Sequence, residues 1–179
     1  MSDSTVGASV AATGKAMVVV TGPMGAGKST VATAVADALG VPHRDSDHDL
    51  EALTGKPGVQ LAAEHDVAVL HRLEAAVLLG ALADDRPTVV SAAASVVEDE
   101  WCRMALAARA TTVVLTAPVD ELLRRAATGE HRRPMTAEEL TALMARRQPL
   151  FDAVADLTID ARQPADEVAE AVLAHLRRR

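Results

Sequence analysis

Short apolar runs alternate along the chain with longer stretches in which apolar residues recur every three or four positions. MVVVT (17–21) is a β-branched run that stops at a glycine, and it predicts a buried parallel strand. Ser29 to Leu39 carries a helical period that Gly40 closes. Val41 to Asp45 predicts a weak second strand, followed by a short helix from about His48 to Leu53 that ends near Gly55. Residues 59–83 hold most of another helical stretch. Pro87 precedes TVVS (88–91), a third strand, and Glu98 to Ala108 reads as helix. TTVVL (111–115) is a fourth strand, and Pro118 sits at the start of a helix over 119–127. Thr136, with Glu139 three residues on, is a capping-box pattern ahead of a helix expected to end at Arg146 and Arg147. Asp156 to Asp160 is a fifth strand, and Pro164 opens a terminal helix, Ala165 to Arg178.

Strands alternating with helices predict an α/β domain, a parallel sheet with helices on both faces. Residues 1–16 are rich in Ser, Ala, Thr and Gly without an apolar period, and predict a flexible tail ahead of one domain, 17–179. The length of 179 residues suits that division.

Composition narrows the function. The net charge of −7 disfavours broad contact with nucleic-acid phosphates, and aromatics at 1% leave no base-stacking platform. No apolar run reaches the roughly 18–20 residues of a membrane span, and the N-terminus lacks a signal-peptide pattern. A single cysteine, Cys102, fits a reducing cytoplasm and predicts a small buried hydrophobe. A small-molecule partner is expected, with neither nucleic acid nor membrane. The chain is expected to be a monomer, with a dimer as the alternative. The six histidines show no metal-ligand spacing.

The strongest chemistry lies at residues 22–30, GPMGAGKST. Gly22, Gly27, Lys28 and Ser29 satisfy G-x-x-x-x-G-K-[ST], with a strand before and a helix after. Gly25, Ala26 and Thr30 belong to the same loop. Its glycines let backbone N–H groups point at phosphate oxygens, and the helix N-terminus adds positive dipole. Lys28 is placed to reach the β- and γ-phosphates of a nucleoside triphosphate, and the Ser29 hydroxyl to ligate Mg²⁺. A glycine turn without a ligand would not require the full motif in this context. The chain carries no N/T-K-x-D guanine-reading signature, so a compact kinase for a small metabolite is the natural class. Residues 45–49, DSDHD, follow the second strand, at the end where ligands bind in open α/β sheets. Asp45 can hold Mg²⁺ and Asp47 can orient a hydroxyl, or the pair can simply cap a helix.

MGAGKST, DSDHDLEALTGK, RRPM and RRQPLFDAVADLTID together resemble shikimate kinase, in that family's order and near its spacings, over residues 17–175. The resemblance implies a three-layer P-loop NTPase fold, similar to nucleoside monophosphate kinases, with a five-stranded parallel sheet. An acceptor-binding region is implied at about 46–80 and a mobile lid at about 127–136. It also implies ATP and Mg²⁺, with Lys28 and Ser29 on the triphosphate and metal, Asp45 near the metal and Asp47 on the acceptor hydroxyls. Arg133 matches an arginine on the transferring phosphate, and Arg147 one that grips the acceptor carboxylate. Arg162 and Pro164 match the loop beside adenine, with Arg124 or Arg125 on its other face.

Two departures stand in the acceptor region. His71 occupies the arginine position of the family's F-R-x-x-E motif, and Ala92-Ala93-Ala94 replaces a glycine triplet beside the acceptor ring. Arg72 is adjacent, but one helical residue turns it about 100° away. If any of those glycines required positive φ, alanine there would cost about 1 kcal/mol or more. The resemblance therefore implies intact transfer of the ATP γ-phosphate, by Lys28, Asp47 and Arg133, to a hydroxyl in an altered pocket. Shikimate or a related polyol, cyclitol or sugar acid is the expected acceptor. The alternative is a nucleotide-binding regulator without kinase activity.

Overall fold

Five parallel strands form one sheet in the order β2-β3-β1-β4-β5. They are β1 (Met17–Thr21), β2 (His43–Asp45), β3 (Thr88–Ser91), β4 (Ala110–Thr116) and β5 (Leu157–Asp160). The structure, a computed structural model, describes residues 15, 17–127 and 135–178. The expected tail (apart from Lys15) and most of the expected lid, including Arg133, lie outside the described residues.

Every residue of β1 is buried, as its unbroken apolar run requires of a strand covered on both faces. Alternation along the strands splits the core in two. Val18, Val20, Val113 and Leu115 pack against α1 (Lys28–Leu39) and α8 (Ala165–Leu176). Met17, Val19, Val90 and Val114 pack against α4 (Val67–Leu82), α5 (Glu100–Arg109) and α7 (Ala137–Val154). The register pairs Ser91 with both Val20 and Asp45, so β1, β2 and β3 finish nearly level at their carboxyl ends. That shared edge carries the site.

Local signals place most boundaries well. Gly40 and Gly55 adopt the left-handed conformation at the ends of α1 and α2 (Ser46–Thr54). Thr136 and Glu139 form both bonds of the capping box that opens α7. Three expectations need correction. The stretch over 59–83 is two helices, α3 (Gly58–Glu64) and α4, because Asp66 breaks it and caps α4 by accepting from the Ala68 N–H. The helix expected from Glu98 is instead a 3₁₀ turn, Ala94–Glu98, followed by α5, which Asp99 caps through the Cys102 N–H at 2.8 Å. The third correction concerns α7, which does not stop at Arg147. Pro149 lacks a backbone donor, yet Phe151 and Val154 beyond it are buried, and their packing carries the helix onward. α6 (Val119–Ala126) follows Pro118, which stands just outside it.

Cys102 is fully buried on α5. Burial, then the nearby Asp99 charge, pushes its thiol up to about 12. The native protein is expected to leave an aromatic disulfide reagent unreduced at neutral pH, while unfolding in urea releases one thiol per chain. Rapid labelling of the folded protein would contradict this packing. Among the described residues, no helix is long and apolar enough to cross a membrane.

Candidate active site

β1 leads into the loop 22–27, where Gly22, Gly25 and Gly27 all have positive φ. Two of these glycines are required by the fold as well as by any ligand. A Cβ at Gly22 would lie 2.3 Å from the Leu115 carbonyl oxygen, and one at Gly25 would lie 2.5 Å from that of Leu122. The loop is thus clamped against β4 and α6. Gly22→Ala is expected to cost about 2–4 kcal/mol through backbone strain and overpacking. Thermal unfolding should show this as a drop of roughly 5–15 °C, and a change below about 2 °C would contradict the clamp.

α1 starts at Lys28, whose side chain is largely covered and whose Nζ donates to the Pro23 carbonyl at 3.1 Å. The Ser29 Oγ donates to Asp45 Oδ2 at 2.5 Å, and Ser91 Oγ donates to the same oxygen at 2.9 Å. Asp45 Oδ1 accepts from the Asp47 N–H at 2.9 Å, capping α2. Asp45 therefore caps a helix, as one of its two readings expected, and its other oxygen faces the glycine loop through Ser29. Burial would raise the Asp45 carboxyl, but the bonds from Ser29, Ser91 and the Asp47 N–H, with the His48 charge, hold it below the ordinary aspartate range. A lowered value means the network's stability is complete above the usual 3.8 and is lost as the pH falls through the depressed value.

Behind Asp45, His43 Nε2 lies 3.1 Å from Ser91 Oγ, and its Nδ1 lies 3.1 Å from Thr33 Oγ1. These contacts tie β2, β3 and α1 together around the carboxylate. Sequence reasoning passed over Ser91 and His43. The signal was Ser91's place at the carboxyl end of its strand, which acquires meaning only with the register.

Two clefts meet at the phosphate loop and share Gly27 and Thr30. The first, about 230 Å³, is lined by Gly25, Gly27, Lys28, Ser29, Thr30, Asp45, Ser46, Asp47, Ser91, Ala92 and Ala93. The second, about 400 Å³, gathers Ala26, Arg125, Arg162 and Pro164 beside Val31 and Val168. Arg125 donates to the Ala161 carbonyl at 2.8 Å, whereas Arg124 is exposed, pairs with Glu121 and does not line that cleft. Arg162 pairs with Asp160.

The alanine triplet is unstrained, since no described residue other than glycine has positive φ. The backbone cost raised for glycine replacement does not arise. What remains is three buried methyl groups, and Ala94 does not line the cleft.

His71 and Arg147 do not line it either. They converge on Glu98, a residue that sequence reasoning did not single out. Arg147 Nε and Arg146 Nη2 donate to Glu98 Oε1 at 3.0 and 2.8 Å, and His71 Nδ1 is 3.4 Å from Oε2. Arg147 is buried in mid-helix, so it needs a partner, and the expected helix-end dipole is not its reason. Arg72 is exposed, on another side of α4 from half-buried His71.

A phosphate-holding loop that opens onto a pair of carboxylates, at the carboxyl edge of a parallel sheet, defines a P-loop phosphotransferase. Residues 24–177 match the sequence model of the family described as shikimate kinase. The chain is 34% identical over 165 residues to the shikimate kinase of Frankia casuarinae, covering 89% of this chain and 72% of that protein. It is 33% identical over 164 residues to that of Limosilactobacillus fermentum, covering 89% and 94%. The solved structure of Acinetobacter baumannii shikimate kinase in complex with shikimate superposes with a TM-score of 0.82 at 29% identity, covering 92% of this chain and 94% of that one. The chain belongs to the shikimate kinase family. It is an enzyme that transfers a phosphoryl group from ATP to an alcohol.

Proposed function

We propose that the enzyme transfers the γ-phosphate of ATP to a hydroxyl of shikimate or of a similarly sized cyclitol, polyol or sugar acid. The observation that carries this reading is the first cleft, which gathers Lys28, Ser29, Asp45 and Asp47 within one small opening. The triphosphate lies along the loop 22–30, and the nucleoside lies in the second cleft between Arg125 and the Arg162–Pro164 segment. Lys28 draws charge from the β- and γ-phosphates and holds the transferring group in line.

Ser29 Oγ and Asp45 offer hard oxygen donors side by side, a set suited to Mg²⁺. When bound, that ion offsets phosphate charge. Asp47, in the exposed first turn of α2, orients the acceptor hydroxyl and takes its proton. Arg133 is assigned to the transferring phosphate from its motif. Residues 46–80 form the acceptor region and 127–136 the lid that excludes water.

The test is ADP release from Mg·ATP with shikimate and with a panel of cyclitols, linear polyols and sugar acids. At least one acceptor should raise the rate at least about tenfold, within the range that proximity supplies. ATP binding with no stimulation by any member would sink the reading.

A further inference from the structure

Hydrogen bonds close a circuit through Ser29, Asp45, Ser91, His43 and Thr33. Ser29 Oγ and Ser91 Oγ both donate to Asp45 Oδ2. Ser91 Oγ also lies 3.1 Å from His43 Nε2, and His43 Nδ1 lies 3.1 Å from Thr33 Oγ1. Thr33 Oγ1 then donates to the Ser29 carbonyl at 2.8 Å, which returns the circuit to its start.

Backbone geometry explains the fit. Ser29 and Thr33 stand one turn apart on α1, while His43 and Asp45 are alternate residues of β2, so each pair shares a face. Four helical residues rise about 6 Å and two strand residues about 6.6 Å, so the two spacings match. The register sets Ser91 of β3 beside Asp45.

Proton counting gives the circuit a direction. A hydroxyl carries one proton, and a carboxylate has none to return. Ser91 gives its proton to Asp45, so it receives its other bond from an N–H at His43 Nε2. A donor on one side of the Ser91 oxygen leaves the hydroxyl proton for Asp45 on the other.

We propose that His43 and Ser91 are positioning residues for the metal donors: His43 Nε2–H orients the Ser91 hydroxyl, and that hydroxyl fixes Asp45 beside Ser29. This rests on the assignment above of Ser29 and Asp45 to Mg²⁺. Asp45 Oδ1 is held by the Asp47 N–H of α2, and Oδ2 by Ser29 of α1 and Ser91 of β3. Ser91 alone of these belongs to the sheet, so it ties the carboxylate to the buried frame of the fold. His43 does not line the first cleft and acts only through Ser91 and Thr33. Hydrogen bonds behind a metal ligand typically carry about 10–100-fold in metal affinity.

The test measures binding of a non-hydrolysable ATP analogue to the full chain by calorimetry, with EDTA and with saturating Mg²⁺. Mg²⁺ is expected to tighten binding by the wild type. His43→Phe should weaken the Mg²⁺ complex about tenfold, yet move the metal-free dissociation constant less than about threefold. His43→Gln, which keeps an N–H donor near the Nε2 position, should recover most of the loss. Ser91→Ala should repeat the His43→Phe pattern, and it decides if His43→Phe does not fold. Equal weakening with and without Mg²⁺ would make the circuit merely structural and overturn the proposal. So would an unchanged Mg²⁺ complex, no recovery by glutamine, or a wild type indifferent to Mg²⁺. The wild type also decides without any variant: nitrogen NMR should find a proton on His43 Nε2, and a bare Nε2 would overturn the proposal. Acceptor-stimulated ADP release is followed separately, so phosphoryl transfer can stand while this assignment falls.

Discussion

Replacing Lys28 by methionine is expected to lower kcat by about 10²–10³-fold or more, with little loss of thermal stability. The Lys28 side chain is largely covered, and its Nζ rests on the Pro23 carbonyl. Methionine keeps the length and apolar character of the stem and removes only the ammonium group. Covered cations are expensive to hold, so the fold should tolerate their loss. Phosphoryl transfer should not, because its catalysis is mainly positioning and charge stabilisation. Steady-state ADP release alongside a melting curve separates the two effects. A kcat within about tenfold of wild type would remove Lys28 from the reaction, since one preorganised donor is worth more than that.

The second large effect is expected at Asp47. Asp47→Asn should lower kcat by about 10²–10³-fold while the KM for ATP moves less than about threefold, the pattern of a lost general base. Its side chain sits in the first turn of α2 and on the first cleft, while its backbone N–H is already engaged by Asp45. The substitution therefore leaves the cap on α2 in place and alters one carboxylate. Asp45 makes a useful contrast because it accepts from Ser29, Ser91 and the Asp47 N–H at once. Its loss would disturb the loop, the sheet edge and the helix together. A loss at Asp47 that appears in the KM for ATP rather than in kcat would contradict its assignment to the acceptor hydroxyl.

Features encoded within a few residues were legible in the chain. The strand at 17–21, the loop 22–30, the stops at Gly40 and Gly55 and the cap at Thr136 each depend on local geometry. The misread features depend on distant partners or compete with local rules. Pro149 argues for a helix end, yet burial of Phe151 and Val154 overrides it. Asp66 and Asp99 sit inside helical periods and act as caps instead. Glu98 meets Arg147 across 49 residues of chain, and His43 meets Ser91 across 48, so neither pairing can be found without the topology. The glycine loop and the helix that follows it were therefore readable from their motif. The pairings around Glu98 and Ser91 depend on which long-range partner each polar group finds.

The most direct test is ADP release by the purified full chain with Mg·ATP, measured without acceptor, with shikimate, and with each cyclitol, linear polyol and sugar acid of the panel. Slow release alone is expected, with stimulation of about tenfold or more by at least one small hydroxyl compound and near-complete loss of that stimulation in Lys28→Met. ATP binding with no acceptor-dependent release, or stimulation that survives Lys28→Met, would contradict that expectation.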